Sequence, residues 1–248
     1  MGAIFHELIS RPLFNALVLL YQSVAFHDLG IAIILLTVVI RFILYPLFYK
    51  SFRQQTLMQK IQPEMKRIQD THRGNKERQA QALMELYRTH KVNPFSGIFT
   101  LIIQLIILIP LYRVFFNGFS AEALVDLYPF ISSPTDVNTY FLGLINLAEP
   151  NILIVGLAAI SQYFQAKLSL PKTAPGAKEG ETPTAKLGRQ MVYLGPILTI
   201  VIFYRYPAAI SLYWLATSLF SIVQQIFINR SLKEHGDGTI SKQGTAPY

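Results

Sequence analysis

Five apolar stretches, each close to the length that crosses a bilayer, constrain this chain more than any other feature. A hydrocarbon core about 30 Å thick asks for about 20 apolar residues in a helix. Leu29 to Phe48, Phe95 to Phe116, Ile152 to Leu168, Met191 to Tyr206 and Ala208 to Ile228 approach that length. Glu149-Pro150-Asn151 offers a helix start before the third stretch, and Arg205-Tyr206-Pro207 a tight turn between the last two. The composition agrees. Hydrophobic residues are 52% of the chain and charged residues 15%, against about 25% charged in soluble domains. Too little polar surface remains to cover a globular core, which argues against a water-soluble enzyme. The expected class is an all-α membrane protein with five spans. The absence of cysteine excludes disulfides, thiolate metal sites and cysteine nucleophiles.

Residues 1–27 differ from the spans. His6, Glu7, Arg11, Asn15 and Gln22 interrupt an apolar pattern of helical spacing, which predicts an amphipathic helix lying in the membrane interface. An uncleaved signal sequence and a sixth span are the alternatives.

Charge orients the spans through the excess of Lys and Arg in cytosolic loops. Lys50 to Lys91 holds ten basic residues and four acids, whereas Arg113 to Glu149 holds one and four. Lys167 to Arg189 holds five basic residues and two acids, and the tail after Asn229 three and two. Basic and poor segments alternate, as five spans with an outside N-terminus and a cytosolic C-terminus require. The formal charge of +8 is thereby assigned to the inner face of a membrane, with no direct DNA binding expected.

Residues 51–93 are polar but helical in pattern. Met58, Ile61, Met65 and Ile68 make one narrow seam, and Ala80, Leu83 and Tyr87 another. Thr71 to Asn75 carries turn chemistry between them, and Pro63 bends the first helix. The expectation is a cytosolic antiparallel helical hairpin. Residues 169–188 and the tail from 236 to 248 are expected to be disordered.

Arg41 is the most informative single residue. A centrally placed Arg costs about 2.5–3.5 kcal/mol on insertion scales, so it is expected to face protein or water. Counted back from Tyr49, it lies about 12 Å deep at 1.5 Å per residue. Thr37, Arg41 and Tyr45 step by four and share a helix face. Gln104, Gln162, Gln165, Trp214 and Ser218 give the other spans one-sided polarity, which suggests a shared hydrated cavity. Three fates compete for the guanidinium: snorkelling to headgroups, bonding helix carbonyls, or serving as the positive charge of a substrate groove. The last is favoured because no Asp or Glu occurs inside any span to neutralise it. No metal-spaced His pair falls in a span, no Gly-rich phosphate loop occurs, and the intramembrane serines lack a His partner. Neither enzymatic activity nor a cofactor is expected.

Taken together, these motifs resemble the YidC/Oxa/Alb family of membrane protein insertases over residues 4 to about 235. The resemblance rests on Thr37, Arg41 and Pro46, on Gln62-Pro63-Glu64, and on Met84-Glu85-Leu86-Tyr87 leading to Lys91-Val92-Asn93-Pro94. Gln162, Gln165, Pro207 and Leu212-Tyr213-Trp214 complete it. Ile106, Ser218 and Ala209 stand where members often carry Pro, Asn and Gly. The resemblance implies five helices around a hydrophilic groove open to the cytosol and closed outside. Arg41, Thr37, Tyr45, Gln104, Gln162, Gln165, Trp214, Tyr213 and Ser218 are the candidate groove residues. Implied partners are nascent membrane proteins, the ribosome, the Sec translocon, the signal recognition particle receptor and membrane lipids. The expected location is a bacterial inner membrane, with no transit peptide and without the large extracytoplasmic domain of many members. A small transporter or anion channel using Arg41 as its selectivity charge is the alternative from another class.

Overall fold

The computed structural model describes residues 3–117, 121–134, 136–169 and 183–234. Most of the described chain is helical. Helix α1 (Ala3–Ser23) carries a π-helical turn at His6–Ser10. It is followed by α2 (Leu29–Ile43), α3 (Tyr45–Lys60), α4 (Gln62–Thr71) and α5 (Lys76–Thr89). Then come α6 (Ser96–Asn117), a turn of helix α7 (Ala121–Leu124) and a two-stranded antiparallel ribbon of β1 (Tyr140–Phe141) and β2 (Ile145–Asn146). Helices α8 (Ile152–Leu168), α9 (Pro183–Phe203) and α10 (Ala208–Glu234) complete the order. Helix α10 is the hub, packing on α8, α2 and α3, while α9 packs on α8, α3 on α6, and α1 on α2 and α6.

Beside its apolar core the bundle buries a polar seam and exposes apolar faces. Ser211, Thr217, Ser218, Ser221, Gln224 and Gln225 of α10 are buried, whereas Ile152, Leu153, Leu157, Ile160 and Phe164 of α8 and Ile197 and Val201 of α9 are exposed. An apolar rim of this extent around a polar seam fits a lipid solvent. Among the described residues, Ala3–Ser23 and Ala208–Ser231 are long and apolar enough to cross a membrane, and Leu29–Ile43 with Tyr45–Lys60 adds a third span if the bent pair is counted as one. Ile102–Tyr112, Ile152–Leu168 and Val192–Phe203 are shorter apolar helices.

Several expectations need correction. The stretch from Leu29 to Phe48 is not one straight helix, because α2 and α3 meet at a 73° bend. The cause is local. Pro46 has no N–H to give the carbonyl of Phe42, and its ring crowds that carbonyl. Leu44 leaves the helical region at ψ 7°. The straight-line depth assigned to Arg41 therefore fails, and Tyr45 turns off the face of Thr37 and Arg41. The helix that leads into the hairpin, α3, begins at Tyr45. Residues 183–188 belong to α9, with Pro183 supplying a pre-set first helical position. That helix ends at Phe203, short of the expected Tyr206. The remainder of the 169–188 segment beyond Ser169, and the tail from 236 to 248, lie outside the described residues. In the hairpin, Ile61, Leu86 and Val92 form the buried seam with Leu57, Met58, Met65, Ile68 and Tyr87, while Ala80 is exposed. The turn at Gly74 (φ 97°) and the break before Pro63 fall where expected.

One end of the bundle is closed by the connection between α6 and α8. Asn15 is buried and its amide donates to the carbonyls of Arg11 (2.8 Å) and Asp126 (2.9 Å), while its oxygen accepts from the Tyr128 amide at 2.7 Å. His6 meets Asp126 at 3.1 Å, and the Arg11 guanidinium lies over the Tyr128 ring. Asp28 caps α2 by accepting from the Ile31 amide at 2.9 Å and holds the loop by accepting from the Leu142 amide at 2.6 Å. The Ala208 and Ala209 amides donate to the carbonyls of Glu149 and Leu147, so the start of α10 is bonded into the same closure. Gly30 lets the ribbon sit directly on α2, since a Cβ there would lie 2.2 Å from Cδ2 and 2.9 Å from Cβ of Phe141.

Two substitutions test this closure. Gly30→Ala is expected to destabilise the detergent-solubilised protein by about 1–3 kcal/mol, the range of an overpacked core. Phe141→Ala in the same chain is expected to recover part of the loss, and additive losses in thermal melts would show that the two residues do not meet. Asp28→Ala is expected to cost about 1–2 kcal/mol through the lost cap alone, with more from the freed Leu142 amide; a melting temperature equal to wild type would refute the role.

Candidate functional site

Arg41 lies in the last turn of α2, just before the bend. Its side chain points into the bundle and is only 3% exposed. Nη2 donates to the backbone carbonyl of Thr217 on α10 at 3.3 Å, and Nη1 has no partner. The guanidinium carbon stands 4.1 Å from the centre of the Phe48 ring, on the far side of the bend. Among the described residues no carboxylate pairs with it. A guanidinium carries several fixed N–H donors, so one long hydrogen bond and a ring face leave it under-satisfied. A desolvated cation–π contact contributes about 2 kcal/mol, and a buried donor without a partner costs about 1–3 kcal/mol.

Thr37, Ile40, Arg41, Phe48, Gln104, Ile107, Tyr213 and Thr217 line a small pocket around that charge. Its free space is about 10 Å³, room for a single water. In this structure it is a narrow crevice. Helix α2 supplies Thr37, Ile40 and Arg41, a three- and four-residue spacing on one face. Helix α10 supplies Tyr213 and Thr217 at the same spacing, α6 supplies Gln104 and Ile107, and α3 reaches back across the bend with Phe48. Thr37 spends its hydroxyl on the Ile33 carbonyl at 2.7 Å, which leaves the Arg41 charge dominant.

Of the nine candidates, Thr37, Arg41, Gln104 and Tyr213 line the pocket; Tyr45, Gln162, Gln165, Trp214 and Ser218 do not. Tyr45 is exposed beyond the bend and stacks on Tyr49. Gln162 accepts from the Thr199 hydroxyl and ties α8 to α9; it also lies against Gly195, where a Cβ would come within 3.3 Å of its amide nitrogen. Gln165 is half-buried on α8. Trp214 sets its ring edgewise against Phe203, and its Nε1 has no partner. Ser218 is buried within the bundle. Phe48 and Thr217 were not among the candidates. The polar run of α10 contained the signal for Thr217. Phe48, at i+7, shares the helix face of Arg41 by spacing, but an apolar ring two turns away gives no sign in the sequence that it meets the cation across a 73° bend.

Polar bonds continue along the α3 side of the bundle. Ser51 meets Thr100 and donates to the Ser96 carbonyl at 2.8 Å. Thr56 donates to Asn229 at 2.9 Å, and Gln225 donates to Thr56 at 3.2 Å and to Asn229 at 3.1 Å. These contacts hold α3 against α6 and α10 and keep Phe48 stacked on Phe52 and packed against Ile228.

Comparison with known proteins identifies the family. A family model described as "60Kd inner membrane protein" matches residues 20–235. A protein of Syntrophobacter fumaroxidans named membrane protein insertase YidC is 32% identical over 238 residues, covering 90% of this chain and 38% of its own. Its namesake from Methylobacillus flagellatus is 30% identical over 238 residues, covering 96% and 38%. A crystal structure described as active YidC insertase with the first transmembrane domain resolved is 27% identical with a TM-score of 0.56, covering 89% of this chain and 45% of that one. The chain thus spans about two fifths of the length of the curated relatives it matches. On the matched length and the shared helical architecture, the chain belongs to the 60Kd inner membrane protein family, that of the YidC-type insertases.

Proposed function

We propose that this chain is a membrane protein insertase unit that helps small or short-tailed membrane proteins enter and fold in a bacterial inner membrane, alone or with the Sec translocon. The observation that carries the proposal is the buried guanidinium of Arg41, short of partners and without a carboxylate of its own. A charge kept in that state is ready for a counterion that arrives and leaves. The acidic outer segment of a nascent membrane protein has the right chemistry, since carboxylates bind guanidinium through short, charge-assisted and often bidentate hydrogen bonds.

The energetics are consistent with that role. The barrier to insertion is the transfer of a polar segment through hydrocarbon. A pocket partway across shortens the dry path, and an outside-positive potential draws acidic residues onward. The apolar part of α9, Val192–Phe203, spans about 18 Å at 1.5 Å per residue, against a hydrocarbon core of about 30 Å. A short neighbour favours local thinning. The substrate's apolar helix then leaves along the exposed apolar faces into lipid, driven by burial. No nucleotide enters the scheme.

In the arrangement proposed, five spans surround the pocket, α1 lies at the outer interface, and the α4–α5 hairpin and the C-terminus face the cytosol. Nascent membrane proteins are the substrates. The ribosome, the Sec translocon and the signal recognition particle receptor are the proposed partners, with lipids around them. With room for about one water, the pocket widens before a segment enters.

Reconstituted proteoliposomes test the reading. Arg41→Glu is expected to slow insertion of a single-span substrate with an acidic outer tail about tenfold, the loss of about 1.4 kcal/mol of attraction, while a neutral-tail version of the same substrate changes little. Equal rates for wild type and Arg41→Glu on the acidic substrate would remove the electrostatic step. Bulk anion flux through the wild-type protein without any insertion would point to a channel instead. Arg41→Ala with Thr37→Arg, which returns the charge one turn away, is expected to restore most of the acidic-substrate rate if pocket charge is what matters; a rate as low as Arg41→Ala alone would show that the position itself is required.

A further inference from the structure

We propose that Phe48 is the cap of the Arg41 pocket, holding the guanidinium by its ring face and giving way when an acidic segment enters. The inference deepens the insertase proposal and rests on it for its purpose, though not for its test. Three observations carry it. The Phe48 ring lies 4.1 Å from the guanidinium carbon and is one wall of the pocket. The pocket has room for one water, so a carboxylate reaches Arg41 only if a wall moves. Phe48 alone of the lining residues belongs to α3, beyond the 73° bend, whereas the other walls stand on α2, α6 and α10.

The ring and an incoming carboxylate compete for the same cation. The ring attracts it through its quadrupole and needs no hydration. The carboxylate offers charge and hydrogen bonds, including one for the free Nη1. A ring therefore keeps the pocket shut while it is empty and yields to an acid, a selectivity that a simple aliphatic plug would not supply. Helix α3 leads through Ile61 into the α4–α5 hairpin, so a displacement of the hairpin has a covalent route to the cap.

The absence of native cysteine allows a clean measurement. Thr37→Cys places a single thiol in the pocket at a position only 2% exposed, and a membrane-impermeant anionic thiosulfonate reports how often that thiol meets water. With Phe48 in place, labelling in proteoliposomes is expected to be slow. Phe48→Leu, which removes the ring but keeps apolar bulk, is expected to label about tenfold faster. Phe48→Tyr and Phe48→Trp, which keep a ring face, are expected to label no faster than the parent. Equal rates for Leu and Phe would overturn the cap, and so would rates raised alike in Leu, Tyr and Trp, which would indicate packing alone. Should Phe48→Leu fail a thermal-melt check of folding, the tryptophan variant decides: faster labelling than the parent overturns the proposal, and equal or slower labelling upholds it. Labelling reads the pocket without any substrate, so the cap can fail while the insertase reading stands, and the reverse.

Discussion

A single buried cation sets the terms for the rest of this structure. Arg41 has given up water for one backbone carbonyl and the face of one ring. Taking an ion out of water costs several kcal/mol even after relaxation. The compensation comes from one distant and one near element: the carbonyl of Thr217 belongs to the last helix, and the ring of Phe48, seven residues after Arg41, to the helix beyond the first bend. Holding them in place requires the α3 contacts to α6 and α10 and the hub position of α10. The bend at Leu44 is part of that solution. A straight span would carry Phe48 away along the helix axis, whereas a 73° turn brings it back over the charge.

The remainder of the bundle divides its tasks by end. At one end Asn15, Asp28, Gly30 and the ribbon at Phe141 bind the loop to α1 and α2 with buried, geometrically satisfied hydrogen bonds. Such networks resist opening. At the other end the α4–α5 hairpin rests on a seam of three buried residues, Ile61, Leu86 and Val92. Few buried contacts mean low local stability. In the cap proposal, movement that exposes the pocket falls on the hairpin side, reached through α3. Of the polar side chains buried along α10, Gln225 bonds Thr56 on α3, whereas Ser221 turns back onto the Thr217 carbonyl of its own helix.

How much of this was legible in the sequence varies with the kind of signal. The helices appeared because apolar length and turn residues are local properties: Asn151 caps α8, Pro207 separates α9 from α10, and Gly74 turns the hairpin, all as the residues announced. Arg41 stood out because a charge in an apolar run is costly wherever it lands. The failures have distinct physical causes. Tyr45 was placed on the face of Arg41 by counting residues along an ideal helix, which the bend at Leu44 interrupts; Phe48, seven residues after Arg41, shares that face by the same count but was passed over as one more apolar residue. Gln162 carried the right polarity but spends it on Thr199, a pairing between helices that no spacing within one helix reveals. Ala80 matched the hairpin period but lies exposed, while Leu86 took the seam; two short helices can meet on neighbouring faces with nearly equal apolar content.

In the proposed mechanism the acid of an inserting protein meets Arg41 itself. Photo-crosslinking from Ile107, a pocket residue on α6 that does not hold the cation, measures this most directly during insertion of a substrate with an acidic outer tail. The account predicts adducts to the tail in the wild-type protein that fade when Arg41 becomes Gln while lipid adducts persist. Adducts to the tail of equal strength with and without the charge, or adducts to lipid alone throughout, would contradict it.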